Sequence, residues 1–208
     1  MKKLLTLAVL SALASTTATA QDEWRVNLST GNSFASDPSS GGDGTDMDLE
    51  PGSLLQLSLH KYQKGSRDGA RLFYEFFYSQ NNIDVSVTTD SGTGDYDTSL
   101  KAQHLQIGGT YEWAENPKVF DPYFAMTIGA SQYSPDTSKS ETYLSGTAAL
   151  GARFWVMKNI ALNIEARAIG TVFDSSSTIF CQNNSCLITL DGDLWWQQQL
   201  TFGASYSF

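Results

Sequence analysis

One period governs this sequence. Eight segments alternate apolar or aromatic side chains with small or polar ones: residues 24–29, 55–60, 71–79, 104–113, 123–131, 144–154, 162–168 and 196–208. Successive side chains of a strand point to opposite faces, so each segment is expected to form a strand with one apolar and one polar face. In the last segment Trp196, Gln198, Leu200, Phe202, Ala204, Tyr206 and Phe208 share one face, and Gln197, Gln199, Thr201, Gly203, Ser205 and Ser207 the other. Beyond the first residues no apolar run reaches the ~20 positions a membrane helix needs. Two folds remain. A soluble β-protein turns its apolar face inward, whereas a membrane barrel turns it to lipid.

The polar face and the connections decide between them. The polar set is rich in Gly, Ser, Thr and Gln and poor in Lys, unlike a surface made for water. Trp24, Tyr78, Trp113, Tyr123, Trp155 and Trp196 fall near segment ends, where interfacial girdles sit. The connections 33–52, 80–99, 134–141 and 173–193 are longer and polar, and 63–69, 114–121 and 156–159 are shorter. Outer-membrane barrels combine an even strand number with short periplasmic turns and long outer loops. The expected fold is all-β, an eight-stranded antiparallel up-and-down transmembrane barrel over residues 21–208.

Residues 1–20 read as a cleaved signal peptide. Lys2 and Lys3 form a basic head, residues 4–13 an apolar run, and Ala18-Thr19-Ala20 a small-x-small cleavage site. Losing those two lysines changes the net charge from −9 to −11. Such acidity argues against nucleic acid, whose phosphates need Lys and Arg. Export also places Cys181 and Cys186 in an oxidising compartment. They bracket the turn-prone Gln182-Asn183-Asn184-Ser185, and a local disulfide is expected, closing a ring worth about 2 kcal/mol.

With the closing Leu200-x-Phe202-x-Ala204-x-Tyr206-x-Phe208, these features make the chain resemble small outer-membrane β-barrels of Gram-negative bacteria. That group includes the OmpA transmembrane domain and the OmpX and OmpW types. Asp121-Pro122-Tyr123-Phe124 followed by Ile128-Gly129 resembles a strand opening common among them. The resemblance implies an outer-membrane location and contact with membrane lipid and lipopolysaccharide. It also implies that Tyr206 and Phe208 belong to the signal read by the barrel assembly machinery.

Eight strands leave an interior just wide enough for side chains to fill. The predicted lumen set carries Arg71, Glu75, His104, Glu112, Arg153, Glu165 and Arg167. Buried charges must pair, and Arg71 with Glu75 and Glu165 with Arg167 share strands and faces. The two histidines, His60 and His104, read as hydrogen-bonding lumen residues. Neither forms the His-x-Ser pair of a barrel deacylase, so no enzymatic role, catalytic residue or cofactor is expected. The outer loops hold the acid: Asp37, Asp43, Asp46, Asp48 and Glu50 in the first, Asp84, Asp90, Asp95 and Asp97 in the second. These suit hydrated, self-repelling loops or capture of a hard divalent cation. The expected function is structural or surface-interactive, with an extracellular ligand as a further partner. The alternatives are a narrow channel for small solutes, as in OmpW-like barrels, and a secreted water-soluble ligand-binding barrel.

Overall fold

A computed structural model describes residues 24–36, 45–63, 70–89, 96–113, 119–135, 139–173, 177–182, 185–190 and 194–208. The leader assigned to residues 1–20 lies outside them. The strands are β1 (Trp24–Ala35), β2 (Thr45–Leu49), β3 (Gly52–Tyr62), β4 (Arg71–Thr89), β5 (Tyr96–Glu112) and β6 (Phe120–Pro135). They continue with β7 (Glu141–Trp155), β8 (Ile160–Val172), β9 (Ser177–Gln182), β10 (Ser185–Leu190) and β11 (Leu194–Ser207). Eight of them close a ring in the order β1-β3-β4-β5-β6-β7-β8-β11, and β11 returns to β1. Every pairing is antiparallel.

The register fixes the shape. Paired residues run from Arg25 through His60, Glu75, Gly108, Thr127, Thr147, Ile169 and Gln197 to Ala35. One circuit therefore returns to β1 ten residues farther along, from 25 to 35. With strands ~4.8 Å apart and ~3.3 Å per residue, that stagger tilts the strands about 40° from the barrel axis. At the seam, Trp24 and Phe208 exchange backbone hydrogen bonds of 3.2 and 2.9 Å.

Polarity is inverted relative to a soluble protein. Ile107 is 63% exposed on the outer face while Arg153 is wholly buried inside. Leu28, Leu57, Phe76, Met126, Leu150 and Phe202 join Ile107 outside, whereas Asn27, Gln56, Glu75, Gln106, Thr127 and Glu165 fill the interior. In water such an outer belt would forfeit about 25 cal/mol for each Å² left unburied. This overturns the water-soluble alternative.

Three expectations about connections are corrected. Residues 80–99 were expected to be a loop, yet β4 runs to Thr89 and β5 starts at Tyr96. Within 33–52, β2 adds a further strand along β4, Thr45 opposite Thr89 and Leu49 opposite Val85. The reason is visible in Ile83-Asp84-Val85-Ser86-Val87-Thr88-Thr89, where β-branched residues keep the period of two. Its phase is reversed, however. Below this level the outward positions Leu72, Tyr74, Phe76 and Tyr78 are apolar or aromatic, whereas above it Ile83 and Val85 face in and Asp84 faces water. β5 makes the same change, with Leu105 and Ile107 outside below, and Leu100 and Ala102 inside above. The switch marks the outer membrane surface, beyond which the sheet encloses an ordinary apolar core.

The 173–193 connection likewise contains the β9–β10 hairpin, whose register sets Cys181 opposite Cys186. Their side chains lie outside the described residues. We expect iodoacetamide to label neither thiol of the unfolded but unreduced protein, and to add two labels after reduction. Mass spectrometry reads both states directly.

Candidate functional site

The lumen is the site, and its floor forms around Glu112, at the end of β5 nearer the short turns. Arg25 of β1 and Arg153 of β7 both donate to Glu112 Oε1. Arg71 lies 3.8 Å from Oε2. The guanidinium groups also stack on rings, Arg153 at 4.0 Å from the Tyr123 centroid and Arg25 at 4.7 Å from that of Phe73. Such cation–π contacts strengthen when desolvated. Asp121 is fully buried nearby and accepts from Trp155 Nε1 at 2.6 Å.

A second cluster crosses the middle of the barrel. Arg167 of β8 donates to Glu75 of β4 and to Glu165, both at 2.8 Å. In the ring of eight, β4 and β8 are diametrically opposite, so this one side chain spans the lumen. Glu165 also accepts from Gln56 at 2.9 Å and from the Tyr123 hydroxyl at 2.8 Å. Thr110 donates to the other oxygen of Glu75 at 2.6 Å. His60 fills the space between the clusters, 2.9 Å from Asn27 Nδ2 and 3.1 Å from Ser58 Oγ.

Above these charges lies a neutral layer. His104 Nδ1 is 2.6 Å from Ser131 Oγ, which in turn reaches Ser145 at 2.7 Å. Gln106 accepts from Thr127 and Thr147 and donates to Ser145. The top is closed by the apolar core of Ile83, Val85, Leu100, Ala102, Tyr133, Phe173 and Trp195. Tyr133 and Trp195 meet edge to face at 5.2 Å, and Trp195 Nε1 donates to the Ser36 carbonyl at 2.7 Å.

The structure brings the six predicted charges into these two clusters but changes the partners. Arg71 and Glu75 do not pair. Four residues along a strand span about 13 Å, whereas Arg71 sits directly opposite Glu112 across the β4–β5 ladder. Glu165 and Arg167 do bond. His104 joins the hydroxyl layer instead of an ion pair. Arg25 and Asp121 belong to the lumen charges as well, beyond the expected set. Arg25 alternates with Trp24 and Val26, which is a usable signal, whereas Asp121 falls in the 114–121 stretch that reads as a turn. Among the described residues their inclusion balances the buried charge, with Arg25, Arg71, Arg153 and Arg167 against Glu75, Glu112, Glu165 and Asp121. The aromatic cap was not anticipated. At the seam, Tyr206 and Phe208 stack with centroids 6.1 Å apart. Asp37, Asp43, Asp90 and Asp95 lie outside the described residues, as do the side chains of Asp46, Asp48 and Asp97.

A family profile described as outer membrane protein beta-barrel domain matches residues 4–208. No curated protein matches the sequence. Among solved structures, Neisserial surface protein A (NspA) aligns with a TM-score of 0.60 at 13% identity, covering 89% of this chain and 97% of that one. The outer membrane protein OprG from Pseudomonas aeruginosa aligns at 0.57 and 15% identity, covering 89% and 95%. The outer membrane protease OmpT from Escherichia coli aligns at 0.52 and 11% identity, covering 93% and 99%. At these identities the likeness is one of fold.

Proposed function

The chain belongs to the outer membrane protein beta-barrel domain family and resides in the bacterial outer membrane, and from that premise we propose that it is a sealed, non-catalytic barrel with a structural and surface-interaction role. The observation that carries this reading is the Arg167–Glu75 bond across the full width of the lumen. Among the described residues, the Glu112 cluster below it and the aromatic core above it add two further barriers to a solute. A channel would have to separate two buried ion-pair clusters, and each broken buried pair costs several kcal/mol.

Both histidines support the non-catalytic part. His60 and His104 are buried among lumen side chains, away from the outer rim where a lipid or peptide substrate would arrive. What the barrel offers its surroundings is therefore its two outer surfaces. The lipid belt meets membrane lipid and lipopolysaccharide. The extended β2–β4–β5 sheet meets the extracellular medium, and the acidic composition of residues 37–50 and 84–97 suits a basic ligand there. Tyr206 and Phe208, at the closing seam, are the residues we assign to recognition by the assembly machinery.

Proteoliposomes test the seal. In isotonic arabinose or glycine, vesicles carrying the refolded wild type are expected to swell no faster than protein-free vesicles. Swelling that rises with protein content would favour the narrow-channel alternative.

A further inference from the structure

Most of the lipid belt is built from large residues such as Leu57, Phe76, Leu105 and Ile107, but one sector is hollow. On β7 and β8 the outward positions Gly146, Ala148, Ala166 and Ala168 are small, and two adjoining concavities of about 560 and 550 Å³ lie over them. Ala148 lines both. Leu144, Ile128 and Trp196 wall the first, and Phe34, Leu150 and Leu200 the second. The hollow lies toward the extracellular ends of the strands, next to Trp196 of the outer girdle.

A polar feature borders it. Gln198 is exposed on the membrane face and forms part of the second wall. Asn32 also faces outward, and the β1–β11 register pairs it with Leu200, two positions from Gln198. Diagonal neighbours of this kind lie ~7 Å apart, within reach of one ligand. Among the described residues neither amide has a side-chain hydrogen bond. An amide left unpaired in hydrocarbon is costly, so this pair suits a partner carrying both a donor and an acceptor at the depth of the outer-leaflet acyl linkages.

We propose that the hollow seats one acyl chain of an outer-leaflet glycolipid of the lipid A type, whose amide linkage and acyl hydroxyl meet Gln198 and Asn32. A lipid is the occupant because the hollow is continuous with the membrane-facing belt of a protein that resides in the outer membrane. An amide-linked hydroxyacyl chain is favoured over an ester-linked one because the two amides both donate and accept, whereas an ester only accepts. The inference is independent of whether the lumen is sealed.

Native mass spectrometry of the full barrel in detergent, with equal amounts of purified lipid A or phosphatidylethanolamine added, tests it. The wild type should retain one lipid A and little phosphatidylethanolamine. Ala148→Leu, which fills the shared wall, and Gln198→Leu should each lower lipid A retention about tenfold, the equivalent of ~1.4 kcal/mol. Phe76→Leu, on the diametrically opposite β4, should leave retention unchanged. Mobility on unboiled gels confirms that each variant is folded. Equal retention of the two lipids, insensitivity to both hollow substitutions, or a lipid-free dimer in place of the lipid complex would overturn the proposal.

Discussion

Glu112→Ala is expected to produce the largest loss of stability of any single lumen substitution, about 3–5 kcal/mol. Glu112 is fully buried and receives Arg25 and Arg153, both also buried, with Arg71 close by. Its removal leaves those arginines facing one another without the carboxylate they share. A loss of that size is a large part of the 5–15 kcal/mol that holds most domains folded. Urea unfolding of the refolded barrel, followed by the gel shift of unboiled samples, reads the effect. Glu112→Gln, which keeps the shape and one acceptor, should lose less. Arg153→Met in the Glu112→Ala background should recover part of the loss, because it removes one of the stranded charges. If Glu112→Ala is as stable as the wild type, the charge cluster does not hold the barrel.

Gly151→Val should come close to it, through packing. Gly151 of β7 lies opposite Tyr123 of β6, and the Tyr123 ring occupies the space a side chain at 151 would need. From there the ring stacks under Arg153 and its hydroxyl reaches Glu165. The glycine therefore lets one ring connect the two charge clusters. Valine displaces the ring, which combines an overpacking cost of about 1–3 kcal/mol with about 1.5–3 kcal/mol for the lost bond to a charged acceptor. Tyr123→Ala in the Gly151→Val background should be less damaging than the two single losses added together, since the clash then has no second party. Additive losses would show that the ring and the glycine do not interact.

The two substitutions also show what the sequence revealed and what it withheld. The period of two placed Glu112, Arg153, Glu75 and Arg167 inside and Leu57, Ile107 and Phe202 outside, because a single face assignment carries a whole strand. It did not give the partners of Arg71 or Glu75. Those depend on which strands lie opposite one another across the lumen, a property of ring order and stagger. The role of Gly151 was hidden for the same reason, since a glycine on the polar face reads like any small lumen residue until Tyr123 is placed over it. The aromatic cap was hidden by a phase change. Past Ser79 on β4 and before His104 on β5 the apolar face turns inward, and a search for one unbroken alternation ends there. Read as a reversal, Asn82-Ile83-Asp84-Val85 signals both a longer strand and the height of the membrane surface.

Planar-bilayer recording tests the seal most directly. The wild-type barrel, inserted at single-molecule density, is expected to pass no current steps above the bare bilayer at either polarity, because Arg167 joins opposite walls and the aromatic core closes the outer end. Glu75→Ala removes the crossing bond and leaves no lone charge, because Arg167 stays paired with Glu165. That variant should remain quiet while the Glu112 cluster and the cap persist, so the prediction does not depend on one contact. Stable, stepwise conductance in the wild type, altered by that substitution, would contradict the sealed lumen and make the barrel a channel.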